Sequence, residues 1–470
     1  MSLIQETDTI AAIATPPGEG GIAVIRISGE DAFRITDLGF RGRTPLAEVQ
    51  SHTAHYGKFV DETGAPIDNV VVVVFQGPHS YTGENTVELS CHGGQFLVKR
   101  ILETLIRLGA RAARAGEFTK RAFLNGRIDL AQAEAVADLI RSRTERAHQA
   151  SLSQLDGALS EKVSSMRERL IMNLGLLELE LDFAEDGYEF AEKKLFADQL
   201  KVVIAELNQL ISSYSIGKIY RDGVQVALAG APNVGKSSLL NAFLKEDRAI
   251  VTSYPGTTRD IIEESVTIDG LLFVLSDTAG LRVTADPIEQ EGVRRAEVRL
   301  KSCDILLLML DRTRPLGNLE VAQSIKLVAD VEARGAKCVV AINKADVDPY
   351  SSEPFAELNE ILSTHPVLEI SAKTLLGFEK LEALLVETTV ANLVEKGDSG
   401  IMISNLRHFS ALQRAKGALE LALESTLSGK SSEFIAVDLR SGLDAIGEIV
   451  GVVTTEDILN SIFSKFCIGK

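Results

Sequence analysis

A short apolar run followed by a glycine-rich loop constrains the fold of this chain more than any other feature. Residues 224–229, VQVALA, predict a buried strand, and residues 230–237, GAPNVGKS, have the GxxxxGK[ST] spacing of a loop whose backbone N–H groups wrap phosphates. The helical run SSLLNAFL follows at once. Strand, loop and helix in this order predict a parallel sheet covered by helices.

The rest of the chain has two other textures. Residues 1–125 alternate short strand-like runs such as GIAVIRISG, VVVVVFQGP and TVELSCHGG with glycine and proline turns. From about 128 to 220 there is no proline, and apolar residues from Leu152 to Leu181 recur at spacings of three and four, which predicts one long amphipathic helix.

Strand-like and helical runs alternate from about residue 223 to 385, and helical periodicity returns at about 404–430 and 437–465. Helical segments therefore flank the α/β segment on both sides, which indicates an inserted domain. We predict an α+β multidomain protein with a mixed α/β domain at 1–125, a discontinuous all-α helical domain at 126–220 and 386–470, and an inserted P-loop α/β domain at 221–385.

Composition and charge exclude several classes of protein. The net charge of −17 argues against a protein that coats nucleic acid, although the local patch RSRTERAH at 141–148 could contact RNA if it is not simply a solvated helix face. The longest apolar runs, at 70–75 and 305–310, are too short to span a membrane and predict buried strands. The acidic start of the chain lacks the basic region of a secretory signal. Cys91, Cys303, Cys338 and Cys467 form no CxxC pair, which favours a reducing cytoplasm and argues against a zinc module.

Motifs for a guanine nucleotide follow the loop in order. Lys236 can reach the β and γ phosphates, and Ser237 can offer a hydroxyl to Mg²⁺. PGTTRD at 255–260, SDTAG at 276–280, NKAD at 343–346 and SAK at 371–373 then follow. A carboxylate at Asp346 can accept N1–H and N2–H of guanine, whereas adenine would leave it unpaired.

Together these motifs predict a GTP site with Mg²⁺ held near Ser237, Thr258 and Asp277. The predicted GTP-binding residues are Asn233, Val234, Gly235, Lys236, Ser237, Ser238, Thr252, Thr257, Thr258, Asp277, Thr278, Ala279, Gly280, Asn343, Lys344, Asp346, Ser371, Ala372 and Lys373.

The group that activates water for hydrolysis is less evident. Many small GTPases place a glutamine directly after the DTAG-type motif, but this chain has Leu281 there. Glu289 could position the water, or remain a solvated carboxylate of its loop. Asn233 could bind a monovalent cation beside the β and γ phosphates, or simply form the turn.

Motifs from all parts of the chain resemble the MnmE (TrmE) family of tRNA-modification GTPases. They are TPPGEGGIAVIRISG, YTGENTVELSCHGG, AGEFTKRAFLNGRIDLAQAEA, GAPNVGKSSLLN and the terminal FCIGK. The resemblance implies an N-terminal domain that binds a tetrahydrofolate derivative and forms a homodimer. It also implies potassium-activated GTP hydrolysis by paired G domains, and a flavoprotein partner, MnmG (GidA). With that partner, the family adds an aminomethyl or carboxymethylaminomethyl group to C5 of the wobble uridine of certain tRNAs, using a folate one-carbon unit.

The resemblance also assigns residues. Asn233, with the stretch that contains Thr252, Tyr254 and Thr257, would bind K⁺, and Glu289 would be catalytic. The folate positions would be Arg26, Glu88, Arg127 and Lys470; a lysine is also familiar at position 127, so the contact of an arginine fork there is a separate question.

Cys467 in the FCIGK tail has several possible roles: a buried hydrophobe, a metal ligand, or a thiol near the folate if the tail returns to the N-terminal domain. The resemblance implies that it matters for the modification, as a nucleophile or by packing. His92 beside Cys91 has no clustered partners in the sequence, which favours a loop role over a metal site.

Two other functions are open for such a sequence. One is a regulatory or ribosome-assembly GTPase whose flanking domains bind partners, and the other is a structural dimerisation module outside the GTPase domain. The folate residues and the FCIGK tail favour the tRNA-modifying enzyme. The acidic balance further predicts that tRNA is bound mainly through the flavoprotein partner, in the cytoplasm and without a membrane.

Overall fold

The computed structural model describes residues 8–182, 193–245, 264–277, 300–350, 355–394 and 400–470. The chain divides into two compact units. The first unit comprises Met1–Arg141, Ser151–Ala205 and Ser410–Lys470, and the second comprises Ser142–Ala150 and Glu206–Phe409. Mixed α/β, helical and P-loop portions are all present, which confirms the predicted fold class.

The strands of the first unit are β1 Ile10–Ile13, β2 Gly20–Ser28, β3 Phe40–Arg41, β4 Thr53–Val60, β5 Pro66–Phe75, β6 Thr86–Gly93 and β7 Arg111–Ala112 in the described part of the chain. They form one sheet with the order β3-β4-β5-β6-β2-β1-β7. Neighbouring strands are antiparallel, except for the parallel pair β1 and β7. Two helices, Ala32–Gly39 and Gln95–Arg107, pack their apolar side chains on one face of this sheet.

The valine run in β5 is buried on one face only, which corrects the prediction of a fully buried strand. Val70, Val72 and Val74 are at most 1% exposed, whereas Val71 is 38% exposed. Successive strand residues point to opposite faces. Val71 pairs with Tyr56 of β4, which is itself 70% exposed. Valine favours strands on either face, so the run alone could not reveal this one-sided burial.

The helices of the first unit differ from the sequence prediction at two glycines. The single helix predicted through Leu152–Leu181 is two helices, because Gly157 adopts a left-handed φ of 97° between them. The helical run predicted at 437–465 is likewise divided at Gly451, with φ 85°. The helices that lie wholly in this unit are Ala32–Gly39, Gln95–Arg107, Glu117–Leu124, Leu130–Arg141, Ala158–Asp182, Ser432–Val450 and Glu456–Phe463.

Helices distant in sequence pack together in the first unit. Ala158–Asp182 buries an apolar stripe that includes Leu159, Val163 and Leu170, and it packs along Ser432–Val450. Between them, Ser432 Oγ donates to Glu180 Oε1 at 2.8 Å. The two halves of the predicted helical domain are therefore in direct contact.

The described strands of the second unit are β8 Val224–Gly230, β9 Glu264–Ile268, β10 Leu271–Asp277, β11 Ile305–Asp311, β12 Lys337–Asn343 and β13 Val367–Glu369. They form one sheet with the order β13-β12-β11-β8-β10-β9. All neighbouring strands are parallel except β9, which is antiparallel to β10 at the edge. The run at 305–310 is buried throughout, as predicted. Among its described residues, the helices inside this unit are Lys236–Lys245, Asn318–Glu332, Asn359–Thr364 and Phe378–Val394. Three more helices, Glu145–Leu155, Lys193–Asp222 and Leu406–Leu427, belong partly to each unit.

The chain enters and leaves the long part of the second unit at neighbouring points. The rings of Tyr214 and Phe409 stack with centroids 4.3 Å apart, and Ile403 N donates to Ser213 Oγ at 3.1 Å. A Cβ on Gly217 would lie 2.2 Å from Ile403 O, so only glycine permits this close approach. No helix among the described residues is long and apolar enough to cross a bilayer.

A buried arginine ties three segments of the first unit together. The Arg121 side chain is 6% exposed and forms ion pairs with Asp8 (2.7 Å), Glu84 (3.2 Å) and Glu117 (3.3 Å). Replacing it by methionine leaves the buried Glu117 with Arg111 alone and removes the cation beside Glu84, so we expect Arg121→Met to lower the free energy of unfolding by about 2 kcal/mol. Hydrogen exchange of the β1 amides measures this loss.

The matched control is Arg34→Met, because the ion pair of Arg34 with Asp31 has both side chains more than half exposed. We expect no measurable change in exchange for that variant. Equal protection of β1 in both variants would contradict the structural role of Arg121.

Candidate functional site

The glycine-rich loop joins β8 to the helix Lys236–Lys245. Gly230, Asn233 and Gly235 have positive φ values of 145°, 62° and 106°, which lets the loop turn back on itself. Lys236 Nζ donates to the carbonyl oxygens of Gly230 (2.9 Å) and Ala231 (3.0 Å). Burial lowers the pKa of Lys236, and Asp277 partly offsets this effect. The loop therefore encloses an ammonium group able to meet phosphate oxygens.

A hydroxyl and a carboxylate come together beside this loop. Ser237 Oγ lies 3.5 Å from Asp277 Oδ2, at the carboxyl end of β10. Both are oxygen ligands of the kind that Mg²⁺ prefers, so the pair fits the predicted cation. No group of three or more His, Cys, Asp or Glu side chains gathers as a metal site in the described part of the chain.

Asn343 connects the phosphate loop to the base-binding side of the site. This residue ends β12, and its Nδ2 donates to Val234 O at 2.7 Å. Its Oδ1 accepts from Ala372 N at 3.0 Å. One buried side chain thus fixes the GAPNVGKS loop and the SAK turn relative to each other.

Asp346, the predicted acceptor for guanine, is held by Ser371 of the SAK turn. Ser371 Oγ donates to Asp346 Oδ1 at 2.6 Å, and this bond is the main reason that the pKa of Asp346 is below its usual value. Ser371 is fully buried, whereas Asp346 is exposed. The carboxylate is therefore ionised and accessible to the N1–H and N2–H donors of guanine.

One residue of this site was missed by the sequence analysis. That residue is Asp311, which ends β11 beside Asn343 and accepts from Lys344 Nζ at 2.6 Å. The sequence signal for Asp311 was its position directly after the apolar run at 305–310, because polar residues at the carboxyl ends of parallel strands collect at one edge of the sheet.

The remaining predicted residues divide into two groups. Ser238 and Lys373 are exposed at their positions in the helix and the SAK turn. The predicted residues that lie outside the described residues are Thr252, Tyr254, Thr257, Thr258, Thr278, Ala279, Gly280 and Glu289.

A second polar cluster lies in the first unit, on neighbouring strands. Arg26 of β2 pairs across the sheet with Glu88 of β6, with Arg26 Nη2 and Nε 2.8 and 3.0 Å from Glu88 Oε1. The guanidinium carbon of Arg26 lies 5.0 Å from the ring centroid of Tyr81 and 5.7 Å from that of Phe118. The arrangement is a charged pair beside flat apolar rings.

The FCIGK tail reaches this cluster. Arg26 Nη1 donates to Gly469 O at 3.4 Å, and Ile468 forms an antiparallel bridge with Ala115. Lys470 is half-buried; burial lowers its pKa, and Arg26 lowers it further, while Glu88 and Cys467 act in the opposite direction. Arg26, Glu88 and Lys470 are therefore brought together.

Cys467 is exposed, so the interpretation of this residue as a buried hydrophobe is wrong. Its carbonyl oxygen accepts from Gly116 N at 3.4 Å, which places the residue beside the segment that precedes the helix Glu117–Leu124.

Arg127 and His92 are two further positions that the sequence singled out in this unit. Arg127 is exposed and lies beside Gly83, where a Cβ would be 3.3 Å from Arg127 Cγ. His92 is on β6 rather than in a loop, which corrects that expectation. Its Nδ1 lies 2.8 Å from Asp68 Oδ1, a paired arrangement on the strand.

Comparisons with known proteins agree across the chain. Residues 130–467 match the family described as "MnmE helical domain", and residues 9–127 match "GTP-binding protein TrmE N-terminus". The chain is 45% identical over 470 residues to a "tRNA modification GTPase MnmE" of Salinibacter ruber, covering 99% of this chain and 100% of that protein. A protein of the same description from Syntrophotalea carbinolica is 42% identical over 464 residues, covering 98% and 99%. Among solved structures, the G domain of the T. maritima FeoB iron transporter is 30% identical, with a TM-score of 0.25, over 36% of this chain and 98% of that chain.

Proposed function

Because the chain belongs to the MnmE family of tRNA-modification GTPases and is a GTP hydrolase, we propose that it supports one particular reaction on tRNA. In that reaction, a (carboxymethyl)aminomethyl group is installed on C5 of the wobble uridine. A tetrahydrofolate derivative supplies the one-carbon unit, and a flavoprotein of the MnmG (GidA) type is the partner.

The observation that carries the proposal is a second polar site in the same chain as the nucleotide site. Arg26, Glu88 and Lys470 together offer cations for a glutamate tail and a carboxylate for the donors of a pterin. Tyr81 and Phe118 add flat apolar surfaces beside the guanidinium of Arg26. An assembly GTPase has no need of such a cluster.

In the nucleotide site, each residue has a role that its chemistry supports. Lys236 meets the β and γ phosphates, and Asp346 accepts from the guanine edge. When bound, Mg²⁺ neutralises charge that develops on the phosphates, and Ser237 and Asp277 are its candidate ligands in the described part of the site, with Thr258 as a further one.

Hydrolysis requires groups that add positive charge and orient water. We assign the K⁺ site to Asn233, an exposed residue of the phosphate loop whose amide oxygen can bind a cation, with Thr252, Tyr254 and Thr257. Glu289 orients the attacking water, since Leu281 has no group that could do so.

The proposed assembly is a homodimer in the cytoplasm, joined by the flavoprotein partner. The net charge of −17 supports tRNA binding mainly by that partner.

The test is mass spectrometry of tRNA nucleosides from a bacterial strain that lacks its own copy of this protein. The strain is complemented in parallel by the natural chain and by Cys467→Ser. We expect the natural chain to restore the modified wobble uridine and Cys467→Ser to fail, because the exposed thiol lies on the tail that contacts Arg26.

If both chains restore the modified nucleoside, the proposed function stands and the Cys467 thiol is not needed for the chemistry. If neither variant restores the nucleoside while both are expressed and hydrolyse GTP, the tRNA-modifying function is wrong. A ribosome-assembly GTPase then becomes the function to examine, by the profile of ribosomal particles in the same strain.

A further inference from the structure

Asp311 occupies a buried position at the edge of the nucleotide site. It ends β11 and lies opposite Asn343 in the parallel register, and its side chain is 5% exposed. Oδ1 accepts from Thr313 N (2.9 Å) and Thr313 Oγ1 (2.6 Å), and Oδ2 accepts from Lys344 Nζ (2.6 Å). Three donors thus fix the carboxylate, which leaves it little freedom to rotate.

The carboxylate of Asp311 is ionised at neutral pH. Burial raises its pKa, but the hydrogen bonds from Lys344 and Thr313 outweigh burial and keep the pKa below its usual value. The bond to Lys344 is therefore a charge-assisted one, and such bonds are stronger than those between neutral groups.

Lys344 is held in an unfavourable backbone conformation. Its φ is 67°, in the left-handed region that side chains other than glycine, asparagine and aspartate rarely adopt. The turn that follows places Asp346 against Ser371, and Ala345 N donates to Ile370 O at 2.9 Å. A conformation of this kind persists only where surrounding contacts impose it.

From this geometry we propose that Asp311 is a positioning residue for guanine nucleotides, which acts by anchoring Lys344 and thereby the NKAD turn. Both carboxylate oxygens already accept from protein donors, Thr313 and Lys344, so Asp311 acts through the turn. It fixes the lysine side chain across the ends of β11 and β12, so that the turn presents Asp346 in the orientation that the base requires. The inference rests on the proposed GTP site and adds a residue to it.

The test compares Asp311→Asn with the natural full-length chain. Asparagine has the same shape and its Oδ1 can still accept from Thr313, but its Nδ2 then faces Lys344 Nζ, so the substitution removes both the charge and the acceptor that anchor Lys344. We expect the affinities for fluorescent GDP and GTP to fall equally, by about tenfold. We expect kcat at saturating GTP to stay within about twofold, since the reaction occurs at the phosphates.

A control variant tests for a general effect of losing a carboxylate in this unit. Glu332→Gln removes the charge that pairs with His365, at 2.9 Å and outside the nucleotide site. We expect its nucleotide affinities to equal those of the natural chain. A loss as large as that of Asp311→Asn would overturn the inference.

A double-mutant cycle identifies the route of the effect. If Asp311 acts through Lys344, then Asp311→Asn costs affinity in the natural chain but adds nothing to Lys344→Met. Additive losses would overturn the inference, and so would an unchanged affinity or a loss confined to kcat. Thermal melting identifies a variant that does not fold. If Asp311→Asn does not fold, Lys344→Met still tests the inference, because Lys344 is partly exposed and an unchanged affinity in that variant would overturn it. A natural chain that binds neither nucleotide would instead refute the GTP site itself.

Discussion

Gly235→Ala is expected to abolish nucleotide binding, with a loss of GTP affinity greater than about a hundredfold. The φ of Gly235 is 106°, and a Cβ there would lie 2.2 Å from Asn343 Nδ2. That amide donates to Val234 O and links the phosphate loop to the SAK turn. The methyl group would push Asn343 out of place, so the phosphate and base contacts would be lost together. Calorimetric titration with GTP measures the effect.

A second glycine provides the control for backbone strain. Gly270 joins β9 to β10 with a φ of 77°, but a Cβ there would meet no atom within 4 Å. We expect Gly270→Ala to bind GTP normally, although its left-handed backbone is strained. GTP binding by Gly235→Ala within about tenfold of the natural chain would show that the loop can relax around the methyl group.

Gly469→Ala is expected to remove tRNA modification while GTP hydrolysis continues. The φ of Gly469 is 97°, and a Cβ would lie 2.3 Å from Ile13 O. Because Gly469 O accepts from Arg26, the displaced tail would carry Lys470 away from Arg26 and Glu88. We expect the modified wobble nucleoside in complemented cells to fall to less than about a tenth of the natural level.

The control for this variant lies in the same unit. Gly126 has a φ of 69°, and a Cβ there would have no atom within 4 Å, so Gly126→Ala adds the same kind of strain without a clash. Its modification level should match that of the natural chain. Full modification by Gly469→Ala, with the protein expressed at the natural level, would contradict a role for the tail at Arg26.

The parts of the molecule that follow local patterns could be predicted from the sequence. The strand before GAPNVGKS, the helix after it and the ends of β10 and β12 are determined by short runs and their spacing. Asp346 and Ser371 belong to motifs 25 residues apart, and the structure joins them by a hydrogen bond. The position of each motif after a predicted parallel strand was sufficient to place it in the site, because parallel strands all end at the same edge of the sheet.

Features that depend on tertiary contacts could not be predicted in this way. Periodicity continues through Gly157, so the break in the long helix is visible only in the backbone. The valine run of β5 is apolar on both faces, although only one face is covered. Asp311 is ordinary in sequence and acquires its partner only when β11 and β12 are adjacent. The approach of Gly469 to Arg26 was suggested only by the family resemblance.

The stacked rings of Tyr214 and Phe409 also affect how the chain reaches its native state. Arg26 and Gly469 are 443 residues apart, and closing a loop in an unfolded chain costs about 0.6 kcal/mol more for each doubling of its length. Ser213 and Ile403 are 190 residues apart and meet beside the stacked pair. If the second unit folds first, the loop that must close between Arg26 and Gly469 is therefore shorter by that length. Non-local contacts of this kind limit folding rates. Early folding of the second unit therefore speeds completion of the Arg26 cluster, and weakening the Tyr214–Phe409 contact would delay that step.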